Sequence, residues 1–157
     1  MQLFSGDGVH LKPPCLQRLM TPVHLSFMKV LHMYRNLLFI GIGSFIGGVL
    51  RYLFQTLIQR YYPAPIPLGT LWVNVSGCFL IGIIYGLSEK GGMLSPEMRL
   101  FLATGVCGGY TTFSSFAYEN ASLLMDAEWF YFGLYTSLSF FLGIFAAYLG
   151  AYLVKIF

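Results

Sequence analysis

The chain has 157 residues, of which 57% are hydrophobic, 18% aromatic and only 10% charged, and its formal net charge is +3. Soluble domains average about a quarter charged residues, so this composition excludes an ordinary soluble protein and predicts one compact integral membrane domain. The basic residues lie near the ends of apolar stretches, which indicates contact with lipid headgroups and argues against nucleic-acid binding.

Residues 1–33 precede the first long apolar stretch and mix prolines, charges and apolar residues. They lack the long apolar run of a cleaved signal peptide. We predict that they form a loose N-terminal extension and that residues 34–157 form the membrane domain. Met28 and Met33 lie just before the first apolar stretch, so a mis-assigned translation start is an equal alternative.

Windows without charged residues mark the candidate membrane spans, since a spanning helix needs roughly 20 apolar residues. They are residues 36–50, 61–88, 100–118 and 129–154. The predicted fold class is therefore an all-α integral membrane protein with four transmembrane helices. The first helix, residues 37–58, must carry Arg51 near one end, where we expect its charged group to snorkel to the membrane interface.

Glycine spacing predicts close helix packing in the first two spans. Gly43 and Gly47 form one small-xxx-small motif, and Gly82 and Gly86 form another. Such motifs let a neighbouring helix approach closely, although they are common in membrane helices and weakly specific. The proline-rich residues 61–67 predict a stiff, extended connector between the two spans.

Polar pairs at helical spacing occur in the second and fourth spans. Thr70 and Asn74 are four residues apart on one face of the second. A membrane-embedded asparagine either joins helices through hydrogen bonds or lines a polar path, and the pattern by itself favours the first. Tyr135 and Ser139 share a face of the fourth span in the same way, which fits either helix packing or pore lining.

Residues 104–119, TGVCGGYTTFSSFAYE, lie where the third span belongs but make a poor continuous helix. The glycines weaken a helix, and the threonine and serine hydroxyls can bond to nearby backbone. We predict that the third helix is broken in mid-membrane, where non-helical backbone is tolerated only inside protein or beside a water-filled cavity. An ion or substrate site is one hypothesis. A kinked helix whose hydroxyls bond back to their own carbonyls fits the spacing equally well.

Three motifs in the same order resemble the Fluc (CrcB) family of fluoride channels: GGVLR at 47–51, PLGTLWVNVSGCFLIG at 67–82 and GVCGGYTTFSSF at 105–116. The resemblance covers about residues 34–157. It implies four-helix subunits in antiparallel, dual-topology homodimers, with two fluoride pores and one structural sodium ion at the centre. It also implies a passive fluoride exporter, and not an enzyme, in a bacterial-type inner membrane. The partners would be fluoride, a second copy of the chain and lipid.

The resemblance further implies roles for individual residues. The pore and its fluoride sites would be formed by Asn74, Phe113, Phe116, Ser114, Ser115, Thr70, Tyr135 and Ser139. Backbone carbonyls of Gly108 and Thr111 would hold sodium, while Arg51 and Glu119 would be structural. The family usually shows TTFSTF, so Ser115 replaces a threonine but keeps the hydroxyl. Tyr135 and Ser139 are looser matches, because the fourth helix has no sharp motif.

The chemistry of these residues agrees with a fluoride pore. Fluoride is small and strongly hydrated, so a pore must replace its water with amide N–H groups, hydroxyls and the positive edges of aromatic rings. Sites without lysine hold the anion weakly enough to release it. A broken helix turns carbonyls inward, and a hard cation such as sodium prefers such oxygens. Two carbonyls from each of two antiparallel copies would supply four ligands.

Other functional classes remain as alternatives. The runner-up is a small dual-topology, proton-coupled multidrug exporter, which needs a titratable acid inside the membrane. No acid occurs between Asp7 and Glu89, and Glu119 is the only candidate. A non-transporting scaffold would use the glycine motifs but would not require a polar break. A membrane enzyme fits least, because the predicted spans hold no histidine and no carboxylate pair for acid–base chemistry.

Overall fold

The computed structural model describes residues 22–90 and 93–156, and every regular element within them is helical. The described residues up to Arg35 and those from Asn36 onward belong to two different units, and the candidate site lies in the second. Most of the predicted N-terminal extension falls outside the described residues. The loose character of residues 1–33 therefore stays a prediction.

Three long helices form most of the structure: α1 at Pro22–Tyr61, α2 at Leu68–Glu89 and α6 at Trp129–Ile156. Within the described residues, these are the helices that are long and apolar enough to cross a membrane, the first of them over Ser26–Tyr61. The chain is thus a multi-pass integral membrane protein whose described part is all-helical. The connector between α1 and α2 is non-helical, as its prolines predict.

The third predicted span is divided into shorter pieces. Its first half consists of three consecutive helical segments: α3 at Pro96–Arg99, a π-helix at Leu100–Cys107 and α4 at Gly108–Tyr110. The chain then becomes extended at Thr111 and Thr112, with ψ angles of 156° and 118°. Helix α5 resumes at Phe113–Met125. The predicted interruption between residues 104 and 119 is therefore present.

The glycines of this stretch do not form the break. Gly105, Gly108 and Gly109 are all helical, and the chain departs from the helix only at the two threonines that follow. Gly105 and Gly109 instead permit close packing on α1, because a β-carbon on Gly105 would lie 2.9 Å from the Cα of Gly43. The π-helix is a second local irregularity, of a kind that frequently occurs at functional sites.

Both glycine motifs lie at close helix contacts, as predicted. A β-carbon on Gly43 would lie 2.6 Å from the carbonyl oxygen of Phe101 in the π-helix. A β-carbon on Gly82 would overlap the carbonyl oxygen of Ala147 in α6. Helix α1 therefore packs against the first half of the broken helix, and α2 packs along α6. Large apolar side chains remain exposed on the outer helix faces, which suits a lipid environment.

Candidate functional site

The break at Thr111 and Thr112 is held by the side chain of Asn74 on α2. Asn74 Nδ2 donates to the carbonyl oxygen of Thr112 at 3.0 Å, and the Thr112 N–H donates to Asn74 Oδ1 at 2.8 Å. One amide side chain thereby satisfies both backbone groups of a residue that has left the helix. Asn74 consequently joins two helices, and it also lines the cavity described below.

Two backbone carbonyls at the break lack the N–H donors that a continuous helix would give them. In a continuous helix the Thr112 N–H would donate to the Gly108 carbonyl, and the Ser115 N–H to the Thr111 carbonyl. Here the Thr112 N–H bonds to Asn74, and the Ser115 N–H bonds to Thr112 Oγ1 at 3.2 Å. Gly108 and Thr111 thus both lose their helical donors. Carbonyl oxygens that have lost their helical hydrogen-bond donors are suitable ligands for a hard cation such as sodium.

A cavity of about 510 Å³ opens beside the break. Its lining is mainly apolar, with a few polar groups, as is usual for a small-ligand site. Six of the residues singled out from the sequence line it: Asn74, Gly108, Thr111, Phe113, Phe116 and Ser139. The hydroxyl oxygen of Ser139 is buried and has no hydrogen-bond partner among the described residues, so it is available to a small ligand.

Phe113 and Phe116 lie on the first turn of α5, and their ring centroids are 5.8 Å apart. The Phe116 ring in turn lies 5.2 Å from the ring of Tyr135 on α6. Phe113 is 78% exposed, which shows that it is not a core residue within a single copy of the chain. Both rings contribute to the wall of the cavity.

Thr70 and Tyr135 lie behind this wall instead of lining it. Both are buried, and both donate hydrogen bonds to the carboxylate of Glu119, Thr70 at 2.6 Å and Tyr135 at 2.7 Å. Gln55 on α1 donates to the Thr70 hydroxyl at 2.9 Å. The carboxylate therefore joins α5 to α2 and α6, and Gln55 extends the chain of hydrogen bonds to α1.

Ser114 and Ser115 surround the hydroxyl of Thr112, which is the N-terminal cap of α5. The Thr112 hydroxyl lies 3.3 Å from Ser114 Oγ and donates to Ser115 Oγ at 3.1 Å. The Thr111 hydroxyl bonds back to the carbonyl of Cys107 at 2.9 Å, as a kinked helix predicts. The hydroxyls therefore stabilise the break locally, while the cavity beside it provides the space that a binding site requires. Arg51 is half-buried on α1.

Three polar residues of this region were missed by the sequence analysis as site residues: Gln55, Asn120 and Thr136. Asn120 is buried, donates to the carbonyl of Phe116 at 2.8 Å and accepts from the Thr136 hydroxyl at 2.8 Å. This pair joins α5 to α6, and Asn120 is bonded to the backbone of Phe116. The available signal was that Asn120 and Thr136 are polar residues next to Glu119 and Tyr135 in membrane helices, where polar groups need partners.

Comparison with known proteins gives consistent matches over the second compact unit. Residues 38–151 match the family described as "CrcB-like protein, Camphor Resistance (CrcB)". A protein of Chlorobium phaeobacteroides (strain BS1) named "Fluoride-specific ion channel FluC" is 49% identical over 123 residues, which cover 78% of this chain and 95% of that relative. A protein of the same name in Flavobacterium psychrophilum is 42% identical, over 77% of this chain and 98% of that relative. Another in Campylobacter jejuni is also 42% identical, over 78% of this chain and 100% of that relative.

Proposed function

Because the chain belongs to the CrcB family, we propose that it is a fluoride-specific ion channel that exports fluoride passively across the cell membrane. The observation that carries the proposal is the cavity at the helix break, where the motif residues Asn74, Phe113 and Phe116 come together. The relatives that match nearly the whole membrane domain are named as channels, and the proposed activity is accordingly conduction instead of catalysis.

The proposed pore replaces the water around fluoride with donors of the cavity wall. Asn74 uses one amide N–H on Thr112, and its side chain has a second N–H. Ser139 supplies a hydroxyl without another partner among the described residues. Phe113 and Phe116 supply ring edges, which carry partial positive charge. None of the described residues that line the cavity is a lysine or an arginine, so the lining does not trap an anion.

The active unit is proposed to be an antiparallel, dual-topology homodimer in which the broken helix is the third of four spans. Two features support a partner at the break: the Phe113 ring is largely exposed in one copy, and Gly108 is exposed beside it. Irregular backbone at membrane depth needs protein or water around it, and a second broken helix would provide protein.

A structural sodium ion is proposed to lie at the centre of this dimer. The carbonyls of Gly108 and Thr111 have lost their helical donors, and two copies would bring four such oxygens together. The described residues contain no cluster of His, Cys, Asp or Glu that could hold a metal, so carbonyl oxygens are the fitting ligands. The ion would stabilise the assembly without being transported.

Export needs no energy source beyond the membrane potential. A negative-inside potential drives an anion outward by about 2.3 kcal/mol per 100 mV for each unit charge. The competing exporter hypothesis would require Glu119 to exchange protons with substrate. That carboxylate is already engaged by two hydroxyl donors from Thr70 and Tyr135, an arrangement suited to a fixed structural group.

The proposal is tested with purified protein in liposomes under a potassium gradient. Valinomycin sets a membrane potential, and an ion-selective electrode records fluoride release. We expect rapid fluoride release and chloride release close to that of protein-free liposomes. Equal rates for the two anions would contradict selectivity, and fluoride release no faster than from protein-free liposomes would contradict the channel itself.

A further inference from the structure

The geometry points to Gln55 as a positioning residue of the channel: its amide fixes the Thr70 hydroxyl on Glu119 and so holds Tyr135 against the Phe116 ring of the cavity wall. This inference rests on the proposed function. Gln55 lies on α1, the helix farthest along the hydrogen-bond chain from the cavity, and it is not among the residues that line the cavity.

The direction of each hydrogen bond follows from the number of protons available. Thr70 has a single hydroxyl proton, and Glu119 Oε1 is 2.6 Å from its oxygen. The Thr70 hydroxyl oxygen also accepts a hydrogen bond from Gln55 Nε2 at 2.9 Å. With Gln55 as donor, Thr70 is left with one arrangement, in which its proton points to the carboxylate. Without that donor, the hydroxyl is free to rotate toward other acceptors such as the carbonyls of its own helix.

Gly69, the residue before Thr70, allows the close approach of helices that the contact between Gln55 and Thr70 requires. A β-carbon on Gly69 would lie 2.9 Å from the carbonyl oxygen of Gln55 and 3.1 Å from its Cα. Only glycine therefore lets α1 come this near to the start of α2. At this separation the glutamine side chain reaches the neighbouring hydroxyl of Thr70.

Glu119 and Tyr135 link the contact between Gln55 and Thr70 to the cavity wall. Glu119 binds Thr70 through one carboxylate oxygen and Tyr135 through the other, so a carboxylate released by Thr70 can turn and shift its bond to Tyr135. The Tyr135 ring is fully buried and lies 5.2 Å from the Phe116 ring. The orientation of the Phe116 edge thus depends on a glutamine on another helix.

The test compares Gln55→Leu with Gln59→Leu, a matched change one turn along the same helix at an exposed glutamine. We expect Gln55→Leu to lower fluoride flux per assembled protein by at least about tenfold, as loss of a bond supporting a charged group would. Gln59→Leu should leave the flux unchanged. In a Thr70→Val background, Gln55→Leu should add less than about twofold, because the hydroxyl that it orients is already absent.

Every outcome of these flux measurements either supports or contradicts a positioning role for Gln55. Normal flux through Gln55→Leu, or full effects of both changes in the double variant, would overturn the inference. If Gln55→Leu does not assemble, the unbranched Gln55→Met replaces it. Failure of both to assemble, with Gln59→Leu intact, would also overturn it, since Gln55 would then be required for folding. Absence of flux in the unsubstituted protein would instead overturn the proposed channel function.

Discussion

The side-chain amide of Asn74 pairs with the backbone of Thr112 in both directions, donating at 3.0 Å and accepting at 2.8 Å. The pairing resembles one rung of a β-ladder made by a side chain. It compensates for the helical bonds that Thr112 does not make, and it leaves the carbonyl of Gly108 without its usual donor. A single residue on α2 thereby stabilises the break and lines the cavity beside it.

Asn74→Ala is expected to impair both stability and conduction. It removes two hydrogen bonds from Thr112, and each buried group left without a partner costs about 1–3 kcal/mol. It also removes the amide donor from the cavity. Asn74→Ser keeps one hydroxyl donor and should retain partial flux. The measurement is fluoride flux per correctly assembled protein, with assembly determined by size-exclusion chromatography. Normal flux through Asn74→Ala would contradict a pore role for the amide.

The sequence predicted the break because its cause is local. Threonine and serine hydroxyls that cap and bond to nearby backbone are visible in the order of residues. The position of the break was less predictable, since Gly105 and Gly109 could equally weaken the helix or permit close packing. Only the contacts with Gly43 and Ser44 on α1 show that they do the second.

The hydrogen-bond chain behind the cavity could not be derived from spacing alone. Its members lie on four different helices: Gln55, Thr70, Glu119 and Tyr135. Residue spacing within each helix does not predict which faces of different helices contact one another. Thr70 and Tyr135 were singled out by helical spacing as well as by the family resemblance, and Glu119 by the resemblance and as the only candidate acid in the membrane. Gln55 was not, because its role depends on the close approach at Gly69.

Sodium dependence is expected to survive substitution of the Thr111 side chain. Thr111→Val removes the hydroxyl bond to Cys107 but leaves the carbonyl that is proposed to bind sodium. Replacement of sodium by N-methylglucamine should therefore lower the stability of the assembled protein in both the native chain and this variant. Thermal unfolding followed by fluorescence measures the effect. If neither protein responds to the replacement, the proposed sodium site is absent.

Antiparallel assembly predicts that a C-terminal tag is found on both sides of the membrane. In the proposed four-span topology, the basic residues from residue 34 onward are only weakly biased to one side: Arg35, Lys90, Arg99 and Lys155 lie on one side, and Arg51 and Arg60 lie on the other. Such a weak bias permits both orientations. Accessibility of the tag to a membrane-impermeant reagent measures the distribution. Labelling from one side only, in the full chain and in a chain that starts at Tyr34, would contradict dual topology.

Passive export predicts that protection from fluoride depends on external acidity. Hydrogen fluoride crosses lipid as a neutral molecule and dissociates inside, where the anion is trapped until a channel releases it. Cells without the channel should therefore be more sensitive to fluoride in acidic than in neutral medium. Expression of this chain should restore growth in acidic medium, while the Asn74→Ala variant should not. Equal sensitivity at both acidities would contradict the weak-acid account.

Phe116→Ile separates a pore role from a packing role for the aromatic wall. If the ring only fills space, an aliphatic side chain of similar size should cost little stability, whereas alanine costs about 3–5 kcal/mol. If the ring edge replaces water around fluoride, the isoleucine variant should assemble normally but conduct poorly, because an aliphatic group lacks the positive edge.

The 78% exposure of Phe113 makes the same substitution there a useful companion. Packing within one copy cannot explain a requirement for an exposed ring, so loss of flux in an assembled Phe113→Ile protein would support contact with the ion. The matched control is Phe145→Ile on α6, since Phe145 is also largely exposed but is not among the residues that line the cavity. We expect the control to conduct nearly normally. Near-normal flux through both Phe113→Ile and Phe116→Ile would show that the aromatic edges are not part of the conduction mechanism.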